Sequence, residues 1–159
     1  MAVLELTDLP AALPPCTPLV GLDLGEKTIG VAVSDGTLTV ASPLQLIRKT
    51  RFTDDANALF ALMESRGAGG MVIGLPVNMD GTEGPRCQSS RAFARNILRL
   101  RDIPIAFWDE RLSSAAVNRM LIDEHDVNRK RRGEVVDKLA ATYILQGALE
   151  RLRHTPKAT

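Results

Sequence analysis

A chain of 159 residues suits one domain with a proper core and is too short for several. Its 45% hydrophobic content and net charge of +1 are ordinary for a globular protein, so no global field announces nucleic acid or a membrane, and any electropositive surface must be local. Cys16 and Cys87 lie far apart without metal-ligand spacing and read as free thiols of a reducing compartment. No basic n-region with an adequate apolar stretch opens the chain, and no apolar run reaches spanning length. The expected address is cytoplasmic, with no membrane partner.

Pro10, Pro14, Pro15 and Pro18 break regular structure, so residues 1–18 read as a flexible N-terminal tail and 153–159 as a C-terminal tail. The domain between them, 19–152, begins with Leu19–Leu24, an apolar strand, and a short Gly25–Thr28 hairpin loop leads into a second strand, Ile29–Ser34. Asp35-Gly36 is a turn, and Leu38–Val40 is expected to begin a third strand. Three strands joined by tight turns form an antiparallel meander. Asp54 or Asp55 is expected to open a helix to about Arg66, with Ala58, Leu59, Leu62 and Met63 inward and Gly67 as its stop. Gly70–Gly74 is a buried strand, and Val77–Gly84 a polar, Gly-rich loop that reads as a mobile rim. Pro85 starts a helix to about Arg101. Ile105–Trp108 is a fifth strand. Ser113 or Ser114 caps a helix to about Glu124, a basic loop follows, and a last helix runs from about Gly133 to Leu152. The order predicts an α/β fold with a mixed five-stranded sheet and helices on both faces.

Three acids sit where this pattern does not ask for them. Asp23 lies in the apolar run of the first strand, where a buried charge without a partner is expensive. A structural Asp accepting backbone N–H groups is the plainer reading. Asp109-Glu110 follows the fifth strand; parallel to the first, that strand delivers a carboxylate to the same sheet edge. A solvated turn serving a helix dipole is the alternative there. Asp137 falls within the apolar stripe of the last helix, formed by Ala140, Ala141, Ile144, Leu145, Ala148 and Leu152. Carboxylates from two strand ends and a helix fit a cage for Mg²⁺ or Mn²⁺, hard ions that favour oxygen ligands. Two such ions can clamp the attacking and leaving oxygens of a phosphoryl transfer. No His cluster, Ser/His/Asp pattern or P-loop competes, and His125 and His154 read as solvated.

In order, the chain carries Asp23-Leu-Gly25-Glu-Lys27-Thr-Ile-Gly30-Val-Ala, Gly74-Leu-Pro76 with Asn78-Met-Asp80-Gly81, Asp109-Glu110-Arg111-Leu-Ser-Ser114, and Val136-Asp137-Lys-Leu-Ala140-Ala. With these motifs, from about Leu19 to Leu152, it resembles the YqgF (RuvX-like) family. These are ribonuclease-H-fold proteins akin to Holliday-junction resolvases and regarded as pre-16S ribosomal RNA nucleases. The resemblance places catalytic, metal-binding acids at Asp23, Glu110 and Asp137, preferring Glu110 to Asp109, with Asp23 bridging two ions. It implies Mg²⁺- or Mn²⁺-dependent phosphodiester hydrolysis leaving 5′-phosphate and 3′-hydroxyl ends. The implied substrate is the 5′ region of precursor 16S rRNA in ribosome biogenesis. Thr28 stands where the family commonly has Arg, which bears on a phosphate contact rather than on the metal site.

Nucleic acid requires cations near these acids. Arg129, Lys130, Arg131 and Arg132 sit in the expected loop before the Asp137 helix, Arg111 lies beside Glu110, and Lys27 lies in the hairpin loop. Arg86, Arg91 and Arg95 read as a solvated helix face, with a second backbone contact as the alternative. RNA is the expected partner and DNA a possible one. A resolvase or single-strand nuclease of repair would use the same chemistry, and a non-catalytic RNA-binding assembly factor would carry structural acids. The Asp-x-Gly hairpin also opens actin-like sugar kinases and acetate kinases, which are far longer. No long amphipathic interface helix demands a dimer, and the oligomeric state stays open.

Overall fold

The computed structural model describes residues 3–112 and 129–154, with the side chains of 129–138 outside that description. Five strands, β1 (Leu19–Leu24), β2 (Thr28–Ser34), β3 (Ala41–Arg48), β4 (Gly70–Leu75) and β5 (Ile105–Asp109), form one sheet in the order β3-β2-β1-β4-β5. Among the described residues the helices are α1 (Phe52–Arg66), α2 (Pro85–Leu100) and α3 (Arg129–Arg153). β1 and β2 pair antiparallel, as do β2 and β3, giving the expected meander. β1, β4 and β5 run parallel, with Leu22 beside Ile73 and Leu75 beside Asp109. The sheet is thus mixed, and its parallel strands end together on one edge.

Strand alternation divides the core. Val20, Leu22, Met71, Ile73 and Ile105 face α1 and α2 and pack with Leu59, Phe60, Met63, Ala94 and Ile97. Leu19, Val72, Ala106 and Trp108 face α3 and pack with Ala141, Ile144, Leu145, Ala148 and Leu149. Glycines let α3 approach closely. A Cβ on Gly21 would lie 2.6 Å from Leu145 Cβ and 3.1 Å from the Ala141 carbonyl oxygen. No helix among the described residues is long and apolar enough to cross a membrane.

Several boundaries differ from the sequence reading. The third strand does not begin at Leu38–Val40. The Asp35 carboxylate accepts the Thr37 hydroxyl and the N–H groups of Thr39 (2.8 Å) and Val40 (3.0 Å), so that segment is a turn and β3 starts at Ala41. Those same hydrogen bonds hold the exposed Asp35 carboxyl down to about 2. The helix α1 begins at Phe52, whose ring meets Phe93 edge-on at 5.6 Å; Ala58 is exposed, while Ala56 and Phe60 are buried. Gly67 ends α1 at φ 68°, and Pro85 opens α2. Residues 3–18 do not trail from the domain. Short 3-10 turns at Leu6–Asp8 and Pro10–Ala12 place Leu9 in the core at 0% exposure, and Leu4 N–H donates to Ile105 O at 2.8 Å. The helix expected from Ser113 or Ser114 to Glu124 lies outside the described residues, as does His125.

Candidate active site at the edge of the parallel strands

Asp23 occupies the penultimate position of the central strand β1, directly opposite Gly30 of β2. It is half-buried rather than removed from water, because the strand opens to solvent over its last two residues. Alternation puts it on the α3 face with Gly21. Glu110 stands just past β5, in the 3-10 turn Glu110–Leu112, and is also half-buried. The strand between them carries Gly74, whose missing side chain leaves the room. A Cβ there would lie 3.2 Å from the Glu110 carboxyl carbon and 2.5 Å from Ile144 Cδ1. Burial, then the negative charge of Asp23, pushes the Glu110 carboxyl up to about 7; Arg86 opposes that rise and Asp109 adds to it. Two carboxylates from separate strands thus share one electrostatic environment at the parallel-strand edge.

Asp109 and Glu110, left unresolved by spacing, have different surroundings. Asp109 is held by the Arg111 guanidinium, at 2.7 Å from Nη2 and 3.1 Å from Nε, and accepts the Arg111 N–H at 3.0 Å. The hydrogen bond from Arg111 keeps its carboxyl below the usual range. Arg111 is therefore engaged with Asp109 rather than turned wholly to solvent. Glu110 is the carboxylate that feels Asp23.

Asp137, the third acid expected from the sequence, belongs to α3, at a position where only the backbone is described. Residue 137 lies on α3 one turn before Ala141, the residue whose carbonyl faces Gly21 on β1. The side chain of residue 137, like those of Arg129, Lys130, Arg131 and Arg132, lies outside the described residues. The basic run itself is not a loop: the backbone is helical from Arg129. Among the described residues no three potential ligands cluster. The described part of the acid set is the Asp23–Glu110 pair, whose hard oxygen donors and mutual repulsion suit a divalent cation.

Lys27 is exposed in the hairpin turn, where its carbonyl accepts the Lys49 N–H at 2.9 Å. The loop after β4 is braced rather than open. Asn78 N–H donates to Thr82 O and Gly81 N–H to Asn78 O, each at 2.9 Å, and Asp80 Oδ1 accepts from Thr82. Arg91 is committed to Glu83, with Nε–Oε1 2.6 Å and Nη2–Oε2 2.8 Å, and lies over the Phe107 ring. Sequence reasoning did not find the roles of Gly74 or of the Arg111–Asp109 pair. Both stood within quoted motifs, but their meaning depends on which segments meet in space. Cys87 is buried and Cys16 exposed, both free, and burial pushes the Cys87 thiol up.

The sheet order and the shared edge of the parallel strands define an α/β fold of the RuvC-like, ribonuclease-H-like kind. The solved structure "T. thermophilus RuvC in complex with Holliday junction substrate" superimposes with TM-score 0.54 at 10% identity, covering 87% of this chain and 98% of that one. The chain belongs to the RuvX family: the family model described as "Holliday junction resolvase" matches residues 17–151. A protein of Phenylobacterium zucineum named "Putative pre-16S rRNA nuclease" is 76% identical over 155 residues, spanning 97% of this chain and 99% of that protein. One of Rhodospirillum rubrum with the same name is 59% identical over 152 residues, covering 96% and 94%.

Proposed function

We propose that this chain is a metal-dependent nuclease of the cytoplasm that hydrolyses phosphodiester bonds and matures the 5′ end of precursor 16S rRNA. Asp23, Glu110 and Asp137 are its metal ligands, and Mg²⁺ or Mn²⁺ its cofactor. The observation that carries this reading is the Asp23–Glu110 pair. Two half-buried carboxylates from separate strands, one with its carboxyl raised to about 7, repel each other in the absence of a cation. A divalent ion, when bound, supplies the charge that neutralises both and stabilises the developing charge on a phosphoryl group. The chain's own groups do the positioning. β1 and β5 carry Asp23 and Glu110 at strand ends on either side of β4, Gly74 of β4 leaves room beside Glu110, and Arg111 occupies Asp109. The RNA substrate rests on the names of the relatives, which match nearly the full length of this chain.

The test is a panel of end-labelled single-stranded RNA, single-stranded DNA, duplexes and a four-way junction, run with Mg²⁺, Mn²⁺, Ca²⁺ and chelator. Cleavage of RNA with Mg²⁺ or Mn²⁺, and none with Ca²⁺ or chelator, is the expected result; full activity in excess chelator ends the metal reading. The family description favours one second reading, resolution of DNA junctions. Preferential, symmetric cutting of the four-way junction would select it. Tight RNA binding without cleavage under any metal would instead mark an assembly factor.

A further inference from the structure

The carboxylate pair lies on the α3 side of the sheet edge. On the α2 side, a cleft of about 300 Å³ begins at Leu24, the last residue of β1, and at Gly25 and Glu26 of the turn that follows. Arg86, Ser89, Ser90 and Phe93 of α2 form its opposite wall, and Lys49, directly after β3, completes the lining. Its volume is at the low end of that of small-molecule sites, yet it opens to solvent at the sheet edge. The two cations there differ from their neighbours. Arg91 is spent on Glu83, Arg101 on Glu64 and Arg111 on Asp109. Among the described residues neither Lys49 nor Arg86 makes a salt bridge. Arg86 lines the cleft and its charge is nevertheless felt at Glu110.

A strand crossing the end of β1 would pass over Gly25, which presents no side chain, and leave the Asp23–Glu110 pair directly into this cleft. Leu24 and Phe93 offer apolar surface for sugar or base, and Lys49 and Arg86 offer charge for phosphate. We infer that the cleft holds the sugar–phosphate backbone of the bound nucleic acid next to the scissile bond, with Arg86 and Lys49 each meeting a phosphate. Glu26 opposes that contact from the same wall. This inference rests on the nuclease reading above and extends it to a path for the substrate.

The experiment compares salt dependence of binding, by fluorescence anisotropy in Ca²⁺ buffer, for labelled single-stranded RNA and DNA of one sequence. The wild-type chain is set beside Lys49→Ala/Arg86→Ala, Glu26→Gln and, as a control, Arg99→Ala. Arg99 lies on the last turn of α2 and bonds Asn96. Loss of two phosphate contacts should weaken binding and flatten the slope of log affinity against log salt by about 1.4, at roughly 0.7 per contact for a single strand. The loss should be equal for RNA and DNA, since phosphates carry no sugar identity. Glu26→Gln should tighten binding, and Arg99→Ala should leave it unchanged. A double variant with wild-type affinity and slope, in a protein whose wild type still cuts nucleic acid, overturns the cleft alone. A loss confined to RNA overturns the phosphate assignment. A wild-type chain that neither binds nor cuts nucleic acid overturns the nuclease reading, and the cleft with it.

Discussion

Gly74 and Glu110 are in effective contact: a single methyl group on Gly74 would sit 3.2 Å from the Glu110 carboxyl carbon. The same methyl would meet Ile144 Cδ1 at 2.5 Å and Cγ1 at 3.1 Å, so that buried side chain must shift too. The Glu110 carboxyl, which feels the charge of Asp23, must shift as well. Gly74→Ala should therefore cost more in activity than in stability, with about 1–3 kcal/mol lost to overpacking. Gly21→Ala should do the reverse, because its methyl would meet Leu145 Cβ and the Ala141 carbonyl oxygen, which move only with the helix. Melting curves and initial cleavage rates, measured well below the melting temperature, check the contrast. Equal loss of both quantities in both variants would defeat it.

The raised carboxyl of Glu110 gives stability a definite pH dependence in metal-free buffer. An acid whose folded value lies near 7, against 4.5 in the unfolded chain, binds more protons when folded across that interval. Its contribution is fully present below about 4.5 and is lost as pH rises through about 7. Glu110→Gln should thus flatten the fall in melting temperature between pH 5 and pH 8. Metal competes with that proton, so at sub-saturating Mg²⁺ activity should rise with pH and its midpoint should move down as Mg²⁺ increases. A midpoint indifferent to Mg²⁺ would separate the proton from the metal.

Asp23→Asn, Glu110→Gln and Asp137→Asn should each lower turnover by orders of magnitude. In chelator each should unfold at or above the wild-type temperature, since removing one of several clustered negative charges relieves repulsion. Marked destabilisation by Asp137→Asn would give that residue a structural role instead. Circular dichroism melts alongside single-turnover cleavage separate the two.

Arg111→Ala should act on Glu110 indirectly. Without its guanidinium, Asp109 becomes an uncompensated negative charge beside Glu110, and Asp109 already contributes to raising that carboxyl. The pH midpoint of activity should shift upward, and more metal should be needed at neutral pH. Arg111→Ala/Asp109→Asn should bring the midpoint back toward wild type. If the double variant fails to do so, Arg111 acts on something other than Asp109.

Elements whose stabilisation is local were legible in the residues. Continuous apolar runs marked β1, β2, β4 and β5, Gly67 marked the end of α1, and Pro85 marked the start of α2. The reading slipped where a side chain diverts the backbone. Leu38–Val40 has strand-like composition, but the Asp35 carboxylate takes the N–H groups that a ladder would need. Arg129–Arg132 reads as a solvated loop by charge, yet Arg and Lys are good helix formers and α3 runs through them. At the candidate site, the strand ends that carry Asp23 and Asp109-Glu110 were legible because parallel strands end on one edge, while the preference for Glu110 over Asp109 came from the family resemblance. The clearance at Gly74, the capture of Asp109 by Arg111 and the cleft between Arg86 and Lys49 arise from segments distant in sequence, which no local pattern encodes.

The packed N-terminal segment also covers an edge of the sheet. A five-stranded open sheet has two edges, and each is a template for pairing with another chain. On β3 the edge carries Pro43, which lacks a donor, and an irregular register at Val31/Ala32. On β5 the protection comes from outside the sheet, through the Leu4 N–H on Ile105 O and Leu9 sealed against the α3 side. Deleting residues 1–12 would therefore uncover an unpaired edge and an apolar socket together. Such a chain should self-associate with rising concentration in light scattering while the full-length chain does not, making the first dozen residues a guard against aggregation.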